Sequence, residues 1–330
     1  MPRAASKRKK RWKWPATWSF ASSRHFLIAL VLLTTAWALS LLEPYVWLGS
    51  VMHELAFHLA LCAALLALVA LLRRAWLAAS LLLLLTALFA SPMLPLYRAT
   101  RPTPQAGPLL RIATAHLAGS TLGREQLSRW LTRERPDALA LTGVADGAEL
   151  GTGLGGYRAL RGNADLRALL LVQNALVVPG RERVGAHPTQ AIRAGRCQAR
   201  LVAVELPPLA VYTTLSARAR SISALTKMPS APRSVWFGHF GSRADAHDLT
   251  AFSAHHSLRD GRLGHGRSAT APGSLGPLGF PLSNVLVHGW ISVREFEVSE
   301  PLVTGAHRTL RATLELTEAR CRFTRAAELE

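Results

Sequence analysis

The sequence predicts an α/β protein: a two-layered β-sandwich flanked by helices, preceded by three transmembrane helices. Three long apolar runs lie before residue 97, and no run of similar length follows. Beyond residue 109, segments with the alternating pattern of strands interleave with segments of helical spacing. About eight such strands with few long helices favour two sheets packed face to face, with the helices outside.

The N-terminal part is predicted to be a membrane anchor. A helix needs ~20 apolar residues to cross the hydrocarbon core of a bilayer. Residues 25–42, 55–72 and 75–96 come close to or reach that length. The alternative for the first run is a cleaved signal peptide, with Ala36 and Ala38 as its small residues. The long charged region before it and the two runs after it favour an uncleaved anchor.

Positively charged residues predict the orientation of this anchor. Residues 1–24 form a basic tail that should stay in the cytoplasm, and Arg73 and Arg74 separate the second and third runs. Three spans then place the C-terminal domain outside the cytoplasm, although Arg98 and Arg101 argue the other way. We therefore predict a multi-pass protein of the inner (cytoplasmic) membrane, with a periplasmic domain if the source is a Gram-negative bacterium.

Two polar residues stand at the outer end of the second run. Glu54 and His58 are four residues apart, so they share one face of a helix. Ionisable groups inside a membrane are usually functional, but these two lie at the predicted interface, where polar groups are tolerated. A structural role is therefore favoured for both residues.

The chain is strongly basic, with a formal net charge of +19. Such a charge attracts nucleic acid, anionic lipid or phosphorylated ligands. Beyond residue 98 the arginines are scattered singly, which indicates a composition bias rather than a binding patch. Nucleic acid is therefore not expected as a partner. The lipid bilayer and protein partners in a membrane complex are expected, with anionic lipid or a phosphorylated ligand as further candidates.

Residues 98–108 are predicted to be a linker, and residues 319–330 a C-terminal tail. The linker is rich in proline, which predicts a stiff spacer that lifts the domain off the bilayer. The chain has three cysteines and no CxxC spacing, which excludes a zinc site of that type. Cys197 and Cys321 could form a disulfide in an exported domain, and the sequence leaves that pairing open.

Residues 109–318 are predicted to form the domain. Leu127, Trp130 and Leu131 stand at helical spacing, so residues 123–135 are predicted to be an amphipathic helix that ends at Pro136. Further helices are predicted at residues 216–228 and 245–255. Strands are predicted at residues 109–117, 137–144, within 166–178, 200–205, 209–215, 234–240, 283–288 and 310–316, with 200–205 and 209–215 forming a hairpin.

The order of these segments resembles the endonuclease/exonuclease/phosphatase family, especially its bacterial members with N-terminal membrane helices. The resemblance covers residues 109–316. It rests on LRIATAHL, PDALALTGV at 136–144, VYTTLS, WFGHFGSRA, SLRD at 257–260, PLSNVLV at 281–287 and GAHRTLRATLEL from Gly305. The resemblance implies a sandwich fold and hydrolysis of phosphate esters with a hard divalent cation, which prefers carboxylate and amide oxygen ligands.

The polar residues that the resemblance implies are almost all replaced. Gly143 stands at the position of a metal-binding Glu, and His239 at that of an Asp that activates water. Of the implied set only His307 is retained, as the candidate catalytic residue. The other altered cleft positions are His116, Thr214, Gly241, Ser283, Asn284 and Ala306. A His without a carboxylate partner or a metal is a poor general acid or base.

The replacements predict a pseudoenzyme: a membrane-anchored, catalytically inactive domain that acts as a binding or accessory subunit of a membrane assembly, with no metal expected. The alternative is a divergent metal-dependent phosphodiesterase, nuclease or phosphatase that acts outside the cytoplasm with Mg²⁺, Mn²⁺ or Zn²⁺. A zinc site of His116, His239 and His307 is the sharpest form of this alternative. A second histidine group, with nearby acids, matches no known ligand spacing: His247, His255, His256, His265, Asp245, Asp248 and Asp260.

Overall fold

The computed structural model describes residues 18–99, 107–144, 150, 154–162, 167–183, 187–209, 211–317 and 321. Most of the predicted basic tail, linker and C-terminal tail lies outside these residues. The described part contains eight α-helices: α1 Trp18–Ser40, α2 Trp47–Glu54, α3 Ala56–Leu72, α4 Trp76–Ala90, α5 Leu94–Arg98, α6 Arg124–Glu134, α7 Leu215–Thr226 and α8 His247–His255.

Twelve strands are described, and they form two six-stranded sheets. The first sheet has the order β11-β12-β1-β2-β4-β3 and the second β5-β6-β7-β8-β10-β9. The strands are β1 Leu109–His116, β2 Ala138–Thr142, β3 Tyr157–Arg161, β4 Leu169–Gln173, β5 Val177–Arg183, β6 Thr189–Ala194, β7 Cys197–Glu205, β8 Ser234–His239, β9 Leu258–Asp260, β10 Ser283–His288, β11 Ile291–Pro301 and β12 Arg308–Leu316.

Each sheet has one parallel pair at its centre, which is β1 with β2 in the first sheet and β7 with β8 in the second. The other neighbouring strands pair antiparallel. The main core lies between the sheets and includes Leu110, Leu170, Leu201, Phe237 and Val285. The predicted two-layered sandwich with helices outside is therefore confirmed as the architecture of the domain.

The helices cover the outer faces of the two sheets. In α6 the residues Leu127, Trp130 and Leu131 are buried against the first sheet, as their spacing predicts. The helix ends at Arg135, whose left-handed backbone (φ 46°) turns the chain into the next strand before Pro136. A second apolar cluster joins α7 and α8 to the outer face of the second sheet.

One predicted hairpin is wrong. Strand β7 pairs antiparallel with β6 and parallel with β8, so residues 209–215 do not pair with it. Described residues 211–214 instead lead through a short helical turn into α7. Proline lacks the backbone N–H that a strand pair requires, and Pro207 and Pro208 end β7 at this point.

The expected number of strands was too low. The strands that the sequence did not indicate are β3, β5, β6, β9 and β11. Strand β11 alternates exposed charged residues such as Glu295 and Glu297 with half-buried ones, and β6 contains polar residues that the fold buries, such as Gln190. Strand β6 therefore lacks the apolar alternation that marks a strand in a sequence, and β11 has it only over a short stretch around Phe296 and Val298.

The prediction of three transmembrane spans is not supported in full. Among the described residues, one continuous helical segment, Trp76–Arg98, is long and apolar enough to cross a membrane. Helices α2 and α3 would give a second span only if they were taken together, and they are bent by 61°. The described apolar part of α1, Arg24–Ser40, is shorter than a full span. The structure therefore provides one candidate span, or two with the bent pair.

The domain packs directly on one end of the helices, so the expected separation of the two is wrong. The backbone N–H of Gly266 donates to the carbonyl oxygen of Leu96 at 2.9 Å. The backbone N–H of His247 donates to Glu43 Oε1 at 3.0 Å. The guanidinium of Arg267 lies 3.8 Å from the centre of the Phe57 ring.

The two polar residues at the end of the second apolar run both contact the domain. The buried carboxylate of Glu54 accepts a hydrogen bond from the backbone N–H of Arg243 at 2.9 Å. His58 Nε2 lies 2.7 Å from the carbonyl oxygen of Leu278. Both side chains hold the helices against the domain, as the favoured structural interpretation requires.

Cys197 and Cys321 form a disulfide, with 5.1 Å between their Cα atoms. That separation lies within the usual range for a disulfide. The bond joins the first residue of β7 to the chain that follows β12, and so links the two sheets. The pairing that the sequence left open is therefore the one in the structure.

Candidate functional site

Three histidines meet where strands of both sheets end. His116 is the last residue of β1 in the first sheet, and His239 is the last residue of β8 in the second. His307 precedes β12, and its backbone N–H donates to the carbonyl oxygen of His116 at 2.9 Å. The fold therefore brings together three of the residues that the sequence singled out, from positions up to 191 residues apart.

The three imidazole rings are in contact. The centres of the His116 and His239 rings are 3.8 Å apart, and the two rings are stacked at 17°. The His307 ring centre is 4.6 Å from that of His116 and 5.3 Å from that of His239. One nitrogen atom of each residue can be chosen so that all three lie within 4.8 Å of one another.

Burial keeps these three rings neutral. Loss of solvation lowers the pKa of His116 to about 3, with a smaller contribution from His307, and lowers that of His307 to about 4. The pKa of the fully enclosed His239 is also well below its ordinary value because of burial, the two other histidines and Arg218. A neutral imidazole has one nitrogen with a free lone pair, which is the form that binds a metal ion.

A hydroxyl group orients one of the rings. Thr142, the last residue of β2, stands beside His116 in the parallel register, and its Oγ1 lies 3.1 Å from His116 Nδ1. The same hydroxyl donates to the carbonyl oxygen of Ala115 at 3.4 Å. The hydroxyl and Nδ1 share one hydrogen bond, whose direction depends on which ring nitrogen of His116 carries the proton.

Gly143 could not hold a carboxylate without a rearrangement. Its backbone has φ +64°, a conformation that strongly favours glycine. A Cβ atom at this position would lie 2.8 Å from Cε1 of His116. The His116 ring thus occupies the space that the side chain of an acidic residue at position 143 would need.

Glu205 is an acidic residue of the site that was not predicted from the sequence. It ends β7 and stands beside His239 in the parallel register. Its Oε2 accepts a hydrogen bond from the backbone N–H of Gly143 at 3.1 Å. Burial raises the pKa of its carboxyl to about 7, against the smaller opposing effects of that hydrogen bond and of Arg167. The predicted strand at residues 200–205 already ended at Glu205, but no signal in the sequence indicated that this strand would lie parallel to β8 and so bring Glu205 beside His239.

Thr214 is not at a strand end. Its Oγ1 lies 2.8 Å from the carbonyl oxygens of both Pro208 and Val211, just before α7. The strand end that the sequence comparison assigned to Thr214 is occupied in the structure by Glu205, nine residues earlier.

The other altered positions line the same strand ends. Ser283 stands opposite His239 in the antiparallel register, and the amide of Asn284 donates to the carbonyl oxygen of Ser242 at 2.9 Å. Ala306 is buried immediately before His307. Gly241 has φ +64°, and a Cβ atom there would lie 2.7 Å from the carbonyl oxygen of Pro207. These residues shape the backbone around the three histidines and bring no carboxylate to it.

A buried arginine holds the loops that border this site. Arg218 of α7 is 1% exposed and donates to the carboxylate of Asp248 through Nε at 2.7 Å and through one terminal nitrogen at 3.2 Å. The same group donates to Ser242 Oγ and to the carbonyl oxygens of Pro207 and Phe240. It therefore joins the chain after β7 to the chain after β8.

The second histidine group is not assembled into a site. His256 is buried, with its nitrogens 3.0 Å from Ser230 Oγ and 3.2 Å from the carbonyl oxygen of Leu225. The carboxylates of this group are engaged by arginines: Asp245 with Arg243, Asp248 with Arg218, and Asp260 with Arg262. Of its histidines, His256 is packed inside the fold, whereas His247 and His255 are exposed at the surface.

Comparisons with known proteins support the fold. No protein-family model matches the sequence, and no curated protein matches it. The structure is similar to the endonuclease/exonuclease/phosphatase from Bacteroides vulgatus, with a TM-score of 0.50 and 14% identity over 63% of this chain and 99% of that chain. It is similar to the same extent, at 13% identity, to humanized D. rerio TDP2 with 14 mutations, which again covers 63% of this chain and 99% of that chain. At such low identity the similarity concerns the fold, and the chain has the endonuclease/exonuclease/phosphatase fold.

Proposed function

We propose that this protein is a membrane-attached binding domain that has the endonuclease/exonuclease/phosphatase fold but does not catalyse magnesium-dependent hydrolysis. It serves as an accessory subunit of a membrane assembly. The proposal rests on Gly143, which has no side chain and beside which the His116 ring fills the space that an acidic side chain would need. Mg²⁺ prefers oxygen ligands in octahedral geometry, and three imidazoles at the centre of the cleft do not provide them.

Attachment to a membrane is supported by the surface of the helices. Large apolar side chains are more than half exposed on α1, α3 and α4, among them Leu32, Leu65, Leu72 and Leu77. An apolar surface of this extent marks a site of contact with a membrane or another protein.

The direction of the helices supports a multi-pass arrangement. The domain contacts the start of α3 and the chain after α4, so the chain leaves the domain along α3 and returns to it along α4. With α2 and α3 taken as one bent span, these helices give two spans. The turn with Arg73 and Arg74 lies at the opposite end. Because positive charge is retained in the cytoplasm, this arrangement favours an inner-membrane protein with the domain in the periplasm. The disulfide fits an oxidising compartment.

The partner that fits best is another membrane protein. The exposed apolar helices can pack against neighbouring helices within the bilayer, where close van der Waals contact drives association. Anionic lipid headgroups are a further partner for the basic chain, whose net charge is +19.

A divergent phosphodiesterase is the second candidate, and Glu205 is the observation that favours it. The half-buried carboxyl group of Glu205 has a pKa of about 7 and stands beside His239 in the strand register, so it could act as a general base at neutral pH. This candidate needs a metal or another electrophile to stabilise the charge on the phosphate.

The test is hydrolysis by the full-length chain in detergent micelles. A generic phosphodiester and a nicked plasmid are offered with Mg²⁺, Mn²⁺ or Zn²⁺, and the wild type is compared with Glu205→Gln, His307→Ala and the exposed control Glu300→Gln. We expect the same background rate from all four proteins. Hydrolysis that is lost in Glu205→Gln and His307→Ala but kept in Glu300→Gln would overturn the non-catalytic proposal in favour of the second candidate.

The membrane arrangement has a separate test. Protease added outside spheroplasts should degrade the domain from residue 107 onward and leave the helices protected. A domain that is cleaved only after the membrane is opened would place it in the cytoplasm and refute the periplasmic assignment.

A further inference from the structure

We propose that His116, His239 and His307 form a binding site for one divalent transition-metal ion of the zinc type. The inference goes beyond the proposed function, because a metal can bind here whether or not the cleft hydrolyses anything. It concerns three side chains that the fold collects from β1, β8 and the start of β12.

Two of the three histidines have a ring nitrogen without a hydrogen-bond partner. His239 is 5% exposed, and its Nδ1 has no such partner among the described residues. Nδ1 of His307 is likewise buried without a partner in the described part of the chain. A buried polar atom that makes no hydrogen bond is costly, so a ligand bound to these nitrogens would remove that cost.

A missing hydrogen bond does not identify a site without other observations. His187 is 3% exposed and has no partner for either ring nitrogen among the described residues, whereas His256, also 3% exposed, has partners for both. What distinguishes His239 and His307 is that each lies beside two other imidazoles, with ring centres no more than 5.3 Å apart.

One of the three rings already has a hydrogen-bond partner on the nitrogen that a metal would leave free. Nδ1 of His116 lies 3.1 Å from Thr142 Oγ1. With a metal on Nε2, the proton of this ring would be on Nδ1 and would be donated to Thr142 Oγ1. Metal-binding histidines typically have their second nitrogen hydrogen-bonded in this manner, which holds both the tautomer and the ring direction.

The three imidazole ligands favour particular metal ions. Neutral imidazole suits zinc, copper, nickel and iron, whereas Mg²⁺ and Ca²⁺ prefer oxygen. Three histidine ligands leave the fourth position of a tetrahedral zinc ion open. One nitrogen of each histidine lies within 4.8 Å of the chosen nitrogens of the other two. Zn–N bonds are about 2.0–2.1 Å long, so binding requires the stacked rings of His116 and His239 to rotate until their lone pairs converge.

The experiment measures metal binding directly. The full-length chain, purified in detergent without a polyhistidine tag, is stripped with a chelator and dialysed against Zn²⁺, and the bound metal is measured by elemental analysis. Co²⁺ is then used as a spectroscopic probe, because its visible absorption reports tetrahedral coordination. The variants are His307→Ala, His307→Gln and Thr142→Val. The control is His288→Asn, at the opposite end of β10 from the site.

We expect one zinc per wild-type chain, and the same in the control. Both His307 variants should lose stoichiometric binding and the tetrahedral Co²⁺ spectrum. Thr142→Val should weaken binding by about 10- to 100-fold, since it removes only the orienting hydroxyl. Circular dichroism without metal shows that each variant is folded, and the conservative His307→Gln serves if the alanine variant is not.

Two results would overturn the metal site: no bound zinc in the folded wild type, or equal binding in the wild type and the folded His307 variants. These outcomes are distinct from failure of the proposed function. Zinc binding without hydrolysis supports both proposals, whereas zinc-dependent hydrolysis supports the metal site and overturns the non-catalytic role.

Discussion

Replacing Arg218 by methionine should destabilise the domain strongly. The guanidinium is 1% exposed and serves four acceptor groups: the Asp248 carboxylate, Ser242 Oγ and the carbonyl oxygens of Pro207 and Phe240. Methionine has a similar length and fills much of the same volume, so the loss is mainly electrostatic. The substitution leaves a partly buried carboxylate and three polar groups without their donor.

The magnitude follows from the burial of this ion pair. Removing one partner of a buried ion pair costs about 3–5 kcal/mol. The Asp248 carboxylate is 29% exposed and keeps part of its solvation, but three further polar groups also lose their donor, so the same range is expected here. For a domain of this size, 1 kcal/mol corresponds to a shift of about 2–4 °C in the melting temperature. We therefore expect Arg218→Met to lower the melting temperature by about 6–20 °C. The loops after β7 and β8 should also become more accessible to protease.

Thermal unfolding of the full-length chain, followed by circular dichroism, checks this expectation. The matched control is Arg220→Met on the exposed face of the same helix, which should change stability by less than about 0.5 kcal/mol. Arg218→Lys keeps the charge but not the planar fork, so it should recover only part of the loss. If Arg218→Met unfolds at the same temperature as Arg220→Met, the argument that this arginine holds the loops together is refuted.

Three further changes test other parts of the structure. Gly143→Ala should lower the free energy of unfolding by about 1–2 kcal/mol or more, because φ is +64° and the new Cβ would contact the His116 imidazole. The control is Gly155→Ala, whose Cβ would have no heavy atom within 4 Å. Equal effects of the two substitutions would contradict this geometry. The folded-state pKa of Glu205 is raised to about 7, so its contribution to stability is complete below about pH 4.5 and is lost as the pH rises through 7. Glu205→Gln should therefore match the wild type near pH 4.5 and exceed it above pH 7, by at most about 3 kcal/mol in urea unfolding; a constant difference would show that burial does not raise this pKa. Cys197 and Cys321 are 124 residues apart, so reduction of their disulfide should destabilise the domain by up to about 5 kcal/mol. Unchanged unfolding after full reduction would show that the cross-link does not constrain the unfolded chain.

The helices and strands with a strong local pattern could be predicted from the sequence alone. Strand β10 was predicted at residues 283–288, where the structure has it, and β1, β2 and β8 were predicted to within one or two residues. These strands are apolar because they lie at the centre of the sheets and are buried on both faces. The helix α6 was evident for the same reason, since its buried residues recur with the helical period.

The contacts between polar residues from distant parts of the chain could be identified only in the folded structure. Glu205 joins the site because β7 runs parallel to β8 and the two strands end together, and a strand register cannot be deduced from either strand alone. The same holds for the direct packing of the helices on the domain, which depends on contacts between residues such as Glu54 and Arg243, 189 residues apart.

The three histidines show most clearly the difference between what the sequence predicts and what depends on the packing of the fold. The family resemblance identified His116, His239 and His307 in the sequence and already raised a zinc site made of all three. Their ring contacts, unused nitrogens and shared burial arise from the meeting of two sheets, because chain segments far apart in sequence become neighbours only when the sandwich closes. Local periodicity therefore determined the framework, and long-range packing determined the chemistry at its edge.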